Sequence, residues 1–172
     1  KHPEFQNIYR DFLQAAWENA KKNGWEKYAY HYIWDESNGP EWNRLYMDSR
    51  KFAPELKTLA VGYKLQRMTP ETVEAVNIWC PLTANFNPDF AAERVKKGDE
   101  AWCYVCVIPK NRYNLFIDHE AFTHRALLWW CRTRKITGLL YWGVCFWDQA
   151  VRTRKQTGKV WPEVQWHANQ YQ

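Results

Sequence analysis

The stretch Tyr28-Ala29-Tyr30-His31-Tyr32-Ile33-Trp34, closed by Asp35-Glu36 and then by Ser37-Asn38-Gly39-Pro40, decides the fold reading. Its aromatic and β-branched residues predict a buried strand, and four successive turn-forming residues mark where that strand gives way to a loop. The two carboxylates therefore stand at a strand's carboxyl end. In a parallel α/β architecture that end holds the reacting groups, because the strand fixes side-chain direction while the loop beyond it varies freely. An acidic pair there points to acid/base chemistry. The plainer alternative is an Asp capping the next helix beside a solvated Glu, and at this point both readings stand.

Working outward, the periods alternate. Residues 5–23 place apolar side chains at Phe5, Ile8, Phe12, Leu13, Ala16, Trp17 and Ala20, a helical spacing, and Gly24 suits the cap that ends such a helix. A second helical stretch covers 41–53 and leads to a short strand at 58–63. A brief helical segment opens at Pro70, and a third strand is expected over 75–79, stopped by Cys80-Pro81. Residues 90–97 form a short helix ended by Gly98, and a fourth strand runs from 101 to 108, up to Pro109. A helix over 119–135 precedes a fifth strand over 138–147. Strands separated by crossovers indicate a parallel sheet, so the class is α/β.

A flavodoxin-like or Rossmann sheet would carry a glycine-rich phosphate loop after one of its strands. Here Gly138 and Gly143 lie inside one strand instead, which argues against a nucleotide site. The remaining parallel option is a (β/α)8 TIM barrel, at roughly 250 residues larger than this chain. Residues 1–172 then read as a single partial barrel domain holding about the last five β/α units of the eight.

Composition agrees with one folded core, since 46% of residues are hydrophobic and 25% charged. The outlier is aromatic content, with 12 Trp, 10 Tyr and 8 Phe, which suits a large core or the flat apolar faces of sugar rings. No stretch approaches the roughly 20 apolar residues that cross a bilayer, and Lys1-His2-Pro3 opens neither a signal-like segment nor a Met-initiated start. The net charge of +5 comes with two copies of Arg-Thr-Arg-Lys, at 132–135 and 152–155. A nucleic-acid reading is set aside, because the first copy follows the apolar run Ala126–Trp130 and reads as the solvated last turn of a helix. Cys103 and Cys106, three apart on a strand, point to opposite faces, so neither a metal site nor a redox pair is expected. Cys80, Cys131 and Cys145 read as buried thiols, and no cofactor is called for.

Five segments taken in order carry a resemblance. They are Tyr32-Ile-Trp-Asp-Glu36, Asn77-Ile-Trp-Cys-Pro81, Glu100-Ala-Trp-Cys-Tyr-Val-Cys106, Leu115-Phe-Ile-Asp118 with Arg125 downstream, and Gly138-Leu-Leu-Tyr-Trp-Gly-Val-Cys-Phe-Trp147. Together, over roughly residues 5–165, they resemble glycoside hydrolase family 123 and the related domain DUF4091. The resemblance implies a (β/α)8 barrel and release of a β-linked N-acetylhexosamine, namely N-acetylgalactosamine, by a retaining mechanism that the substrate's own acetamido group assists. It implies Glu36 as general acid/base, favoured in its protonated form by apolar surroundings, and a charged Asp35 that orients the 2-acetamido group. Trp79, Tyr104, Trp142 and Trp147 match aromatic positions that would contact the sugar, with barrel core as their alternative.

His31 and His119 are candidates of lesser weight, and Asp118 reads as a cap for the helix that follows it. Two departures from the family pattern stand out. Ser37 follows the acidic pair where Pro is common, and Cys145 takes the place of an expected polar residue, which bears on the exact sugar. The resemblance further implies a secreted or periplasmic protein acting on a glycan or glycoconjugate. It also implies barrel strands supplied by an earlier segment or another chain, and a further domain behind the barrel. The rival function is a non-catalytic carbohydrate-binding or scaffold protein that needs only the aromatic cleft.

Overall fold

The computed structural model describes residues 3–36, 40–111, 113–116 and 119–143. Helix α1 spans Pro3–Lys22 and ends where Gly24, at φ 70°, takes the left-handed conformation and lets Trp25 N–H reach the Ala20 carbonyl at 2.9 Å. There follow β1 (Tyr30–Tyr32), α2 (Pro40–Phe52), β2 (Lys57–Val61), α3 (Pro70–Ala75), β3 (Ile78–Cys80), α4 (Pro88–Lys96), β4 (Glu100–Val105), α5 (Ala121–Thr133) and β5 (Gly138–Tyr141). Single-turn 3-10 segments at Leu65–Arg67 and Thr83–Asn85 follow β2 and β3. Sequence chemistry sets several starts. Thr69 Oγ1 accepts from Thr72 N–H ahead of Pro70, and Asn87 Oδ1 accepts from Asp89 and Phe90 N–H ahead of Pro88.

All neighbouring strands pair in parallel, in the order β1-β2-β3-β4-β5. A doubly wound sheet would reverse its order at a switch point, so the sequential order among the described strands is that of a sheet wound one way, as in a barrel. The sheet is curled into an open half-barrel. In a flat sheet β1 and β4 would stand about 14 Å apart, three strand spacings. Yet the Tyr30 and Trp102 rings meet at 5.2 Å between centroids, across the concave face.

Strand parity sorts the core. Leu59, Val61, Ile78, Cys80 and Tyr104 face the concave side with Leu82, and Trp102 and Leu140 pack on them. The alternate residues Ala60 and Trp79 face the helices with Tyr46, Ala75 and Val76, and Cys103 and Val105 do so with Leu127 and Cys131. One glycine is required by close approach here. A Cβ on Gly138 would lie 2.3 Å from the Trp102 indole, so only a bare backbone lets that ring lie across β5.

The described strands are shorter than the sequence suggests, and the third is shifted. Ala75 ends α3 and is not the start of β3, because the Thr69 cap and Pro70 nucleate a helix long enough to consume it. Val76 and Asn77 connect the two, Asn77 Oδ1 accepting from Thr58 N–H. The fourth strand stops at Val105, where Cys106 N–H turns back to the Ile108 carbonyl. Residues 144–147 of the expected fifth strand, with Cys145 and Trp147, lie outside the described residues, as do Asp118 and the second Arg-Thr-Arg-Lys. The first copy, 132–135, closes α5 with all four residues exposed, and Arg134 lies over the Trp130 ring. No described helix is long and apolar enough to cross a membrane.

Candidate active site

The acidic pair leaves β1 at its carboxyl end, and the chain turns sharply there: Glu36 has φ 45°, an uncommon conformation for a residue with a Cβ. This turn sends two sequence neighbours to different strands. The Asp35 carboxylate accepts from the Tyr32 hydroxyl at 2.5 Å, a partner on its own strand. The Glu36 Oε1 atom accepts from the Tyr104 hydroxyl at 2.6 Å, reaching from β1 across the mouth of the half-barrel to β4. Adjacent carboxylates thus sit in unlike surroundings, the condition for assigning them unlike tasks.

Both phenols are held in the protonated, donating form. Burial raises the Tyr104 pKa above its ordinary value, and the Glu36 carboxylate adds to the effect; burial and then Asp35 do the same for Tyr32. Glu36 also lies against the end of β2. A Cβ on Gly62 would stand 2.9 Å from Glu36 Cγ and 3.2 Å from its Cα, so the two backbones touch where no side chain intervenes. Among the described residues no group of three or more His, Cys, Asp or Glu side chains is placed to hold a metal ion. A carboxylate pair on the concave rim, backed by phenols and open to the mouth, can bind a polar ring and exchange protons with it.

The profile of the family described as "Glycoside hydrolase 123, catalytic domain" matches residues 1–164. The chain belongs to glycoside hydrolase family 123. No curated protein matches the chain. Among solved structures, a candidate glycerophosphoryl diester phosphodiesterase from Silicibacter pomeroyi DSS-3 is similar at 21% identity with a TM-score of 0.37, over 58% of this chain and 31% of that one.

The remaining aromatic positions of this family 123 domain fall on both sides of the sheet. Trp79 is 1% exposed and faces the helices, where its Nε1–H donates to Asp99 at 2.9 Å and the Arg94 guanidinium covers its ring at 5.6 Å. It packs between Tyr63 and Phe90, away from the concave face that carries Tyr104. Trp142 follows β5 in the parity of Gly138 and Leu140 and is 41% exposed at the carboxyl rim. His31 turns outward to Ser49 Oγ, Nδ1 at 2.9 Å, and His119 sits in the loop after β4 with Nε2 at 3.1 Å from the Lys110 carbonyl. Neither touches the acidic pair. Sequence reasoning passed over Tyr32 and Gly62. Tyr32 stands three residues before Asp35 and Gly62 directly after the β2 strand, and both positions become meaningful only once the turn at Glu36 is seen.

Proposed function

We propose that this domain removes a β-linked N-acetylhexosamine, with N-acetylgalactosamine the sugar, by a retaining mechanism assisted by the substrate's acetamido group. The observation that carries the reading is the division of the acidic pair, Asp35 held by Tyr32 and Glu36 by Tyr104, at the carboxyl rim of a parallel sheet. In the first step the acetamido oxygen attacks the anomeric carbon and the glycosidic C–O bond breaks. Protonated Glu36 gives its proton to the departing oxygen. The oxazolinium so formed carries positive charge that ionised Asp35 stabilises. In the second step water attacks the anomeric carbon and Glu36, now a carboxylate, takes its proton, which restores the acetamido group with retained configuration. Tyr104 orients the Glu36 carboxyl, Tyr32 orients Asp35, and Trp142 offers a face for the sugar ring; Trp147, the other aromatic position of the resemblance on this strand, lies outside the described residues. Trp79, turned to the helices, is left out of the sugar contacts. Strands from a further segment or chain close the barrel over β1 and β5.

Steady-state kinetics on an alkyl and a nitrophenyl β-N-acetylgalactosaminide test the assignment. Glu36→Gln loses about 10²- to 10⁴-fold on the alkyl glycoside, whose leaving group needs the proton, and much less on the nitrophenyl one. Asp35→Asn slows both. Wild-type-like rates for Glu36→Gln on the alkyl glycoside would overturn the assignment in favour of a carbohydrate-binding or scaffold protein, for which the exposed rings of Tyr32, Trp34 and Trp142 suffice.

A further inference from the structure

Gly62 directly follows β2 in a conformation that few residues adopt, φ 58°, while its N–H donates to the Cys80 carbonyl on β3 at 3.1 Å. Its backbone is therefore pinned to the sheet. Glu36 folds directly onto it, also at positive φ, and is pinned at its other end by Tyr104. A Cβ at position 62 would meet Glu36 Cγ at 2.9 Å and both Cα and Cβ at 3.2 Å. Two of those three atoms are Glu36's backbone and root, so a rotamer change does not relieve the contact and the whole residue has to move. Movement of Glu36 away from β2 breaks its alignment with Tyr104, three strands away.

We infer that Gly62 is the positioning residue of the proton donor: its missing side chain is the space that lets Glu36 cross the rim and stand over the mouth of the half-barrel. This rests on the reading of Glu36 as general acid/base. A displacement of about 1 Å at a reacting group can cost about a hundredfold in rate. Gly62 thus acts on the reaction through Glu36 alone.

The experiment compares Gly62→Ala and Gly62→Asn with wild type, and Glu36→Gln with the Gly62→Ala/Glu36→Gln double variant, in the full protein on both glycosides. Ala is strained at this φ and Asn far less so, but both place a Cβ against Glu36. Both Gly62 variants are expected to lose about a hundredfold in kcat/KM on the alkyl glycoside, less on the nitrophenyl one, with KM little changed. Added to Glu36→Gln, Gly62→Ala costs less than about threefold on the nitrophenyl glycoside, since the group it displaces has already been disabled. The alkaline limb of the kcat/KM profile shifts in the single Gly62 variants. Equal losses on both substrates and in both backgrounds, or failure of both variants to fold, would make Gly62 a structural residue, and wild-type rates would make its bare backbone dispensable; each overturns the inference. Slow Glu36→Gln with wild-type-like Gly62 variants removes the inference alone. Wild-type-like Glu36→Gln on the alkyl glycoside removes the acid assignment and the inference with it.

Discussion

A phenol that donates to a carboxyl group fixes that group's direction. Tyr32 does so for Asp35, the carboxylate proposed above to face the oxazolinium. Tyr32→Phe keeps the ring and removes the donor. The expected result is a fall of about tenfold in kcat/KM on both glycosides, in line with the roughly 1.5–3 kcal/mol that a hydrogen bond to a charged group contributes, taken at its low end for a partly exposed pair. An effect confined to the alkyl glycoside would place Tyr32 with the proton donor instead. His31 supplies a prediction about stability. Burial pushes its imidazole pKa down to about 4, against 6.5 for the free group, and its Nδ1 contacts Ser49. The unfolded chain therefore binds the proton first as pH falls. The stability held by neutral His31 is whole above about pH 6.5 and is lost as pH drops towards 4. Denaturant titrations between pH 6.5 and 5 should show a shallower slope for His31→Gln than for wild type, in a range where most carboxylates have yet to titrate.

Within the elements, close contacts matter more than propensities. β5 can pair with β4 only because Gly138 leaves room for Trp102, whose Cγ, Cδ2 and Cε2 would lie 2.3–2.5 Å from any Cβ there. Gly138→Ala forces the indole aside and should destabilise by about 1–3 kcal/mol, read as a lower urea midpoint at unchanged slope. Adding Trp102→Leu should recover part of that loss, because it removes the clashing ring. Full additivity of the two changes would deny the contact its importance. The third strand shows β propensity yielding to a helix cap and a cross-strand contact. Val and Ile around residue 76 suit a strand, but the capped helix α3 and the Asn77–Thr58 contact determine where β3 begins.

Taken as a whole molecule, the half-barrel has two edges, β1 and β5, each paired on one side only among the described residues. The concave face beside β1 exposes Tyr30 and Tyr32, and α1 buries Leu13, Trp17 and Ala20 while leaving Phe5, Ile8 and Phe12 in solvent. Unpaired parallel edges and apolar helix stripes of this kind favour association. If further strands close the barrel, hydrogen exchange on the full protein should find slow amides throughout Tyr30–Tyr32 and Gly138–Tyr141. Fast exchange at alternate residues of either strand would leave that edge open.

Much of this architecture was legible in advance. The aromatic run before Asp35-Glu36, the crossovers between short apolar strands and the absence of a phosphate loop led to a parallel α/β sheet with its acidic pair at a strand's carboxyl end, because these depend on local period and turn chemistry. The family was legible too, through motifs that survive as short segments in order. Which aromatic faces the site was not. Trp79 and Tyr104 look equivalent along the chain, yet parity turns one to the helices and the other to the mouth, and parity acquires a direction only when the sheet curls and chooses an inside. The same curl brings Tyr104 to Glu36 and Trp102 to Tyr30, contacts between strands with two others between them. Sequence alone determined which residue types stand at the strand ends; only the tertiary structure decided that Glu36 turns over Gly62 and reaches β4, because that depends on the curvature of a sheet formed by residues distant in the chain.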